Sequence, residues 1–167
     1  KNLVKSNTEG DYKVLVMKQI MSELVAKKQQ KEALELANQA KAQYPKSQFM
    51  ENIKNIEEQI RIPTLNFRYE RQTQPNLPIH FVVDHKNVSE FSLNIYEVKD
   101  DFTLFMQYSG NSNRDLFKTI KKNQVRKEIF QLTDPKDYQS HSTSLEMKPL
   151  PSGVYIAEYN VTNGEND

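Results

Sequence analysis

The sequence of 167 residues contains no cysteine and no tryptophan, and it has only 4 glycines. Without cysteine the chain has no disulfide, no thiolate nucleophile and no thiolate zinc ligand. The glycines are scattered, so no glycine-rich loop is available to hold a phosphate group. We therefore expect neither nucleotide binding nor cysteine-dependent chemistry.

Excess charge and long apolar runs are also missing. The 23 basic and 22 acidic residues give a formal net charge of +1, which creates no field that would recruit nucleic acid or an anionic membrane. No apolar run approaches the roughly 20 residues that cross a bilayer. Because the start, Lys1-Asn2-Leu3-Val4, lacks both Met and a signal-peptide core, we expect a fragment or a processed chain without direct membrane insertion.

The first part of the chain has helical periodicity. Apolar residues recur every three or four positions from Asp11 to about Ile60, with interruptions at residues 27–30 and 44–47. Pro45 disfavours helix at the residue before it, and Ser47 is a suitable cap for the helix that follows. We predict about three helices in a helical segment spanning residues 1–62.

Residues 32–40 and the following Tyr44-Pro45 resemble the second helix of a tetratricopeptide repeat, with small alanines where neighbouring helices approach closely. A single unit of this kind does not bury its apolar faces alone. We therefore expect these tetratricopeptide-like helices to cap a longer helical array, to be truncated from one, or to lean on the next domain.

After Pro63 the apolar period changes to two. Three stretches alternate strictly, at residues 65–70, 91–95 and 144–147, and further strand candidates are residues 79–83, 125–132 and 154–161. No helix of the length found in βαβ units intervenes, so the pattern predicts an α+β fold with an antiparallel β-sandwich over residues 63–167. Residues 102–122 are ambiguous, and we interpret them as an insertion at the sandwich edge.

Residues that could carry out chemistry are few. The three histidines, His80, His85 and His141, have no spacing that directs two imidazoles at one metal. His80 is expected to be exposed, and His141 to lie in a turn. Ser152 precedes a glycine in what reads as a turn, not a nucleophile elbow. Adjacent carboxylates such as Glu57-Glu58 project in different directions. We predict no catalytic residue, no metal, no cofactor and no enzymatic activity.

One basic cluster stands out in the second half of the chain. Its members are Arg114, Lys118, Lys121, Lys122, Arg126 and Lys127. Such a cluster could contact phosphate or a sulfated glycan, or it could be a solvated face. The solvated face is the better interpretation because no paired aromatic platform accompanies the basic residues.

Two stretches resemble a known family: Asp137-Tyr138-Gln139-Ser140-His141-Ser142-Thr143 and Leu150-Pro151-Ser152-Gly153-Val154-Tyr155-Ile156. They are similar to the end of the first macroglobulin-type domain in alpha-2-macroglobulin-like proteins of Bacteroides-type bacteria. The order of a helix, a Tyr-Pro pair, a second helix and an Ile-Pro linker also fits. The second stretch is predicted to be a turn between two strands, in which Pro151, Gly153 and Tyr155 have structural roles and Gly153 is free to adopt positive φ.

The resemblance implies an Ig-like, macroglobulin-type sandwich that serves as a non-catalytic scaffold of a protease-trapping protein. It also implies a periplasmic or cell-surface lipoprotein whose partners are neighbouring domains of the same parent chain and, through the full-length protein, a protease. The family's bait segment and its Cys-x-x-Gln thioester have no counterpart here. The alternative is a cell-surface module that binds glycan or protein, which exposure of Phe102, Phe105 and Tyr108 would favour.

Overall fold

The computed structural model describes residues 8–70, 73–98 and 123–161, and within these ranges the chain forms three helices and six strands. The helices are α1 (Thr8–Ala26), α2 (Gln30–Gln43) and α3 (Met50–Arg61). The strands are β1 (Thr64–Tyr69), β2 (Ile79–Lys86), β3 (Glu90–Glu97), β4 (Gln124–Gln131), β5 (His141–Met147) and β6 (Tyr155–Val161). The predicted α+β class is confirmed, and each predicted strand overlaps an observed one.

The chain divides into two compact units, and neither corresponds to one continuous stretch. A helical unit contains Lys1–Thr64 together with Asp134–Ser140, and a β unit contains Leu65–Thr133 together with His141–Asp167. The division after Thr64 lies beside the predicted boundary between residues 62 and 63. The prediction of two consecutive units did not anticipate that Asp134–Ser140, the connection between β4 and β5, belongs with the helices.

Small residues on α2 allow the three helices to pack closely. Ala33, Ala37 and Ala40 are 0% exposed and lie in two apolar clusters to which all three helices contribute. Because alanine adds little side-chain bulk, the backbones of α1 and α3 can approach α2 on this face. The predicted role of these alanines in close helix packing is therefore observed, whereas a tetratricopeptide identity stays a prediction.

Helix α1 ends in a Schellman motif. The N–H of Gln29 donates to the carbonyl of Leu24 at 2.9 Å, and that of Lys28 donates to Val25 at 3.0 Å. Lys28 has a φ of +61°, the left-handed conformation that glycine adopts most easily. The predicted break at residues 27–30 thus ends the helix without the usual glycine.

The turn before α3 corrects the expectation that Ser47 caps this helix. The N-cap is Phe49, which makes no side-chain capping bond. The Ser47 hydroxyl accepts from the N–H of Phe49 at 3.3 Å and donates to Asp11 at 2.6 Å, and Asp11 also accepts from the side chain of Gln48 at 2.9 Å. Ser47 therefore joins the α2–α3 turn to the beginning of α1, and the helix starts three residues later.

The segment Asp134–Ser140 is anchored to the helical unit by Tyr138. The Tyr138 ring packs against the cluster formed by Ala33, Leu34 and Ile60, and the Arg61 guanidinium lies 5.8 Å from its centroid. Two hydrogen bonds of 2.9 Å fold the segment around it: the N–H of Lys136 donates to the Asp134 carboxylate, and the N–H of Gln139 donates to the Asp137 carboxylate. Tyr138 itself has a φ of +60°, so packing holds it in an unfavourable conformation.

The β unit consists, in its described residues, of two three-stranded sheets with the orders β1-β2-β5 and β4-β3-β6. Strands β2 and β5 pair antiparallel with Phe81 opposite Leu145, and β3 pairs antiparallel with both β4 and β6. Residues from the two sheets share one core, including Phe81, Val83, Phe91, Ile95 and Phe130. Rings of Phe91 and Phe130 stack at 5.2 Å. The arrangement is a β-sandwich in architecture.

In the turn before β6, Gly153 lies close to the ring of Tyr155. Gly153 does not have positive φ, which corrects the expectation. Instead, a Cβ at Gly153 would lie 3.1 Å from the ring of Tyr155, so a larger residue would require this ring to shift by a few tenths of an ångström. Pro151 is exposed, and Tyr155 packs partly buried against the sandwich core.

Candidate functional site

Helix α1 carries apolar residues on two opposite sides. Val14 and Met21 point into the helical unit and are 0% exposed. On the other side four apolar residues are between 39% and 69% exposed: Tyr12, Leu15, Val16 and Ile20. We call these four residues the outer stripe of α1.

The spacing of the outer stripe makes it continuous. Tyr12, Val16 and Ile20 are each four positions apart, so their side chains lie one above another on successive turns, with Leu15 beside them. Gln19 and Glu23, which share an exposed hydrogen bond of 3.4 Å, provide polar groups on the same side. A helix with apolar residues on both sides is typical of a buried position, and the described residues of the helical unit cover only one side.

A second surface lies between the two sheets of the sandwich. It is a cavity of about 380 Å³, at the small end of the range for ligand pockets. We call it the aromatic groove. Its lining residues are Phe67, Tyr69, Ile79, Phe81, Leu93, Met147, Tyr155, Ala157 and Tyr159.

Alternation along two edge strands builds the aromatic groove. On β1 the inward residues are Leu65, Phe67 and Tyr69, which become progressively more exposed until Tyr69 is 68% exposed. On β6 the corresponding residues include Ala157 and Tyr159. Within the part of the chain that the structure describes, β1 and β6 each pair on one side only. The groove therefore opens along the seam between two sheet edges.

Aromatic contacts hold the wall of the groove in place. The Phe67 ring lies 5.1 Å from Tyr159, 5.5 Å from Phe91 and 6.2 Å from Phe81, measured between centroids. Such ring pairs stabilise a fixed arrangement beyond their buried area. None of the described residues that line the groove is charged, and the only polar side-chain groups among these residues are the hydroxyls of three tyrosines. The surface suits an uncharged apolar ligand.

Of the predicted basic cluster, four members lie outside the described residues: Arg114, Lys118, Lys121 and Lys122. Phe102, Phe105 and Tyr108, whose exposure would favour a binding module, lie outside the described residues as well. Lys127 is exposed on β4.

Arg126 belongs to a well-defined polar contact. Its guanidinium donates to the carbonyls of Lys148 and Pro149 at 2.9 Å each and to Glu128 at 3.1 Å. The side chains of Arg126 and Glu128 are only 28% and 12% exposed. This contact fastens the chain after β5 to β4. The structural role of Arg126 is observed, and its role in ligand binding stays a prediction.

The fold brings two histidines together that are far apart in sequence. His85 on β2 is directly opposite His141 on β5, with ring centroids 6.0 Å apart, so His141 begins a strand and does not lie in the expected turn. His85 is 1% exposed and its Nε2 lies 3.1 Å from the Thr143 hydroxyl. In the described ranges no three histidine, aspartate or glutamate side chains are grouped so as to hold a metal. His80 is exposed, as predicted.

Neither the outer stripe nor the aromatic groove was predicted from the sequence. The stripe has a signal, because residues 12, 15, 16 and 20 follow helical spacing on the side opposite Val14. The groove has a weaker one. Alternation places Phe67 and Tyr159 on inward faces, but only the strand order makes their rings neighbours.

No protein-family model, no curated protein and no solved structure matches the chain. Among the helices of the described residues, none is both long and apolar enough to span a membrane. The described residues define an α+β protein with a helical unit and a β-sandwich.

Proposed function

We propose that the chain is a non-catalytic structural and interaction module of a larger macroglobulin-like protein. The observation that carries the proposal is the outer stripe of α1. Four exposed apolar residues, in register on one helix, form half of a helix–helix contact. The partner in this proposal is a helix from a neighbouring domain of the same parent chain.

The proposal agrees with the resemblance of residues 137–143 and 150–156 to macroglobulin-type domains. In that setting the parent protein traps proteases and is located in the periplasm or, as a lipoprotein, at the cell surface. This module contributes contacts between domains, and a tetratricopeptide-like packing of α1 against a further helix supplies one of them. Alone, the chain is not expected to inhibit a protease.

The size of the native protein tests the proposal first. Antibodies raised against this chain should detect, in immunoblots of the source cells, a protein much larger than the 19.6 kDa of the chain. A single native band near that mass would contradict a role as one module of a larger scaffold.

Hydroxyl-radical footprinting then tests the role of α1. Labelling of Tyr12 and Ile20 should be several-fold lower in the purified native protein than in the isolated chain, since a neighbouring helix covers them. Ile129, 60% exposed on β4, is the reference for a side chain outside the stripe. Equal labelling of the stripe in both samples would overturn the proposed contact.

The aromatic groove favours the alternative hypothesis, a binding module. Uncharged aromatic walls with a few hydroxyls suit a protein ligand better than a glycan, because sugar hydroxyls need more polar partners than three tyrosines supply.

A further inference from the structure

We propose that the aromatic groove binds an extended peptide segment, which adds a strand at the β1 or β6 edge and inserts alternate apolar side chains between the two sheets. The inference rests on the binding-module hypothesis and does not involve the outer stripe of α1. The occupant is defined by its chemistry: an uncharged segment in which every second residue is apolar.

The groove is a gap in the sandwich core and not a separate surface pocket. Phe81, Leu93 and Met147 line it and are members of the buried core, while Phe67 and Tyr155 pack against that core. A ligand in the groove therefore contacts core side chains of both sheets. Side chains of an added strand would complete this packing in the way that neighbouring strands do.

The seam also offers backbone groups for pairing. Among the described strands β1 pairs only with β2, and β6 pairs only with β3, and strands at the edge of a sheet are the ones to which a further strand adds. The contact between Phe67 and Tyr159 places β1 and β6 next to each other across the seam. An extended segment lying there would gain affinity from main-chain hydrogen bonds and specificity from its alternate side chains.

The charge of the lining restricts the occupant. The lining residues that the structure describes carry no charge, so an acidic or basic side chain in the groove would lose hydration without gaining a partner. Tyr69 and Tyr159, which are 68% and 49% exposed, place hydroxyls where they can bond the backbone of the ligand.

A phage-displayed library of random seven-residue peptides, selected on the full 167-residue chain, tests the inference. Binding of the selected peptides is then measured by fluorescence anisotropy on three variants whose fold is checked by circular dichroism. Ala157→Trp fills the groove from an exposed position on β6, and Tyr69→Ala removes one side of its opening. Asn160→Trp is the matched control, since Asn160 is exposed on the opposite face of β6.

We expect selected peptides with apolar residues at alternate positions, a loss of binding of at least about 10-fold in Ala157→Trp and a smaller loss in Tyr69→Ala, with Asn160→Trp unchanged. Replacing a central peptide residue by proline should cost at least about 10-fold more than replacing it by alanine, because proline removes a ladder donor. This pattern would establish strand addition.

Other results would overturn the inference in distinguishable ways. Enrichment of proline-rich peptides that depend on Ala157 would preserve the binding module and replace its ligand by a polyproline helix. Self-association of the chain in sedimentation, abolished by Ala157→Trp, would make a second copy the occupant. Failure to enrich any peptide, or binding insensitive to Ala157→Trp, would remove both the strand and the groove as a binding site.

Discussion

At the scale of single residues, the turn between α1 and α2 requires an unfavourable backbone conformation at Lys28. It occupies the C′ position of a Schellman motif at a φ of +61°, where a residue with a Cβ is about 1–2 kcal/mol less stable than in a right-handed conformation. The carbonyl of Lys28 also accepts a hydrogen bond from the side chain of Gln139. Glycine would keep these bonds.

Lys28→Gly should therefore stabilise the helical unit by about 0.5–1 kcal/mol, after the greater unfolded-state entropy of glycine is subtracted. Urea unfolding followed by circular dichroism at 222 nm measures the change. Gln39→Gly, at an exposed position inside α2, is the matched control and should destabilise by a similar amount. Destabilisation by both substitutions would contradict this explanation of the turn.

Arg126 is a residue whose role the sequence left open between ligand contact and solvated surface. Its bonds to the carbonyls of Lys148 and Pro149 predict that Arg126→Met destabilises the β unit by about 1–2 kcal/mol, since charged donors to backbone acceptors are lost. Tyrosine fluorescence during guanidinium unfolding reports the change. Lys127→Met, on the exposed neighbour, should stay within about 0.5 kcal/mol of the wild type. Equal effects of the two variants would refute the structural role of Arg126.

Glu57 predicts a pH-dependent contribution to stability. Burial raises the pKa of its carboxyl, but hydrogen bonds and charges of Lys41 and Arg61 outweigh burial, so the pKa lies below its ordinary value. A lowered folded-state pKa means stability that is present above about pH 5 and is lost as the pH falls through the folded value. Glu57→Gln removes the negative charge that strengthens the hydrogen bonds donated by Lys41 at 2.8 Å and by Arg61 at 3.1 Å.

Glu57→Gln should destabilise the helical unit by about 0.5 kcal/mol at pH 7, a small effect because the pair is partly screened by solvent. The difference from wild type should shrink as the pH falls through the lowered pKa of Glu57, because below it both proteins carry a neutral side chain. Glu58→Gln, at the exposed neighbouring position, serves as the control and should show no comparable pH dependence. A difference that is constant from pH 3 to pH 7 would exclude the ionised pair as its cause.

At the scale of elements, periodicity predicted what local sequence determines. The helices around Val14, Ala37 and Ile53 and the strands around Phe81 and Phe91 are observed, because spacing of apolar residues fixes both the element and its buried face. Positions that depend on residues distant in sequence were not predictable. The pairing of His85 with His141 and the ring contact of Phe67 with Tyr159 arise from strand order alone.

The connection between β4 and β5 is another feature that the local sequence does not predict. The resemblance of residues 137–143 to the end of a macroglobulin-type domain gave no indication that Tyr138 packs on the helical cluster of Leu34 and Ile60. Nothing in the local sequence distinguishes an anchoring tyrosine from an exposed one. Its value of φ, +60°, is the structural sign that packing outweighs local preference here.

Tyr138→Ala should destabilise the helical unit by about 2 kcal/mol, because it removes a partly buried ring and the contact with Arg61. Tyr138→Phe keeps the ring and should change stability by less than about 0.5 kcal/mol. Thermal unfolding at 222 nm separates the two variants. If Tyr138→Ala melts like the wild type, the ring is not an anchor.

At the scale of the whole molecule, the helical unit is assembled from two stretches that are distant in sequence, Lys1–Thr64 and Asp134–Ser140. The sequence predicted one continuous helical segment ending near residue 62, which would need further contacts to cover its apolar faces. A chain cut at that boundary keeps all three described helices but loses Tyr138, and with it one cover of the cluster around Ala33, Leu34 and Ile60. Small domains have a small free energy of unfolding, so losing one such contact lowers it by a large fraction.

A chain of residues 1–64 should therefore melt at a temperature about 10 °C or more below that of the helical transition in the full chain, the shift expected for about 2 kcal/mol in a unit of this size. The full chain with Tyr138→Ala should lose a similar amount, which would assign the effect of truncation to this one side chain and not to chain length. Circular dichroism at 222 nm, dominated by the helices, follows both. Equal melting of the short chain and the full chain would mean that the helices form a complete unit without Asp134–Ser140. A short chain that melts far below the Tyr138→Ala variant would show instead that other residues beyond Thr64 carry most of the missing stability.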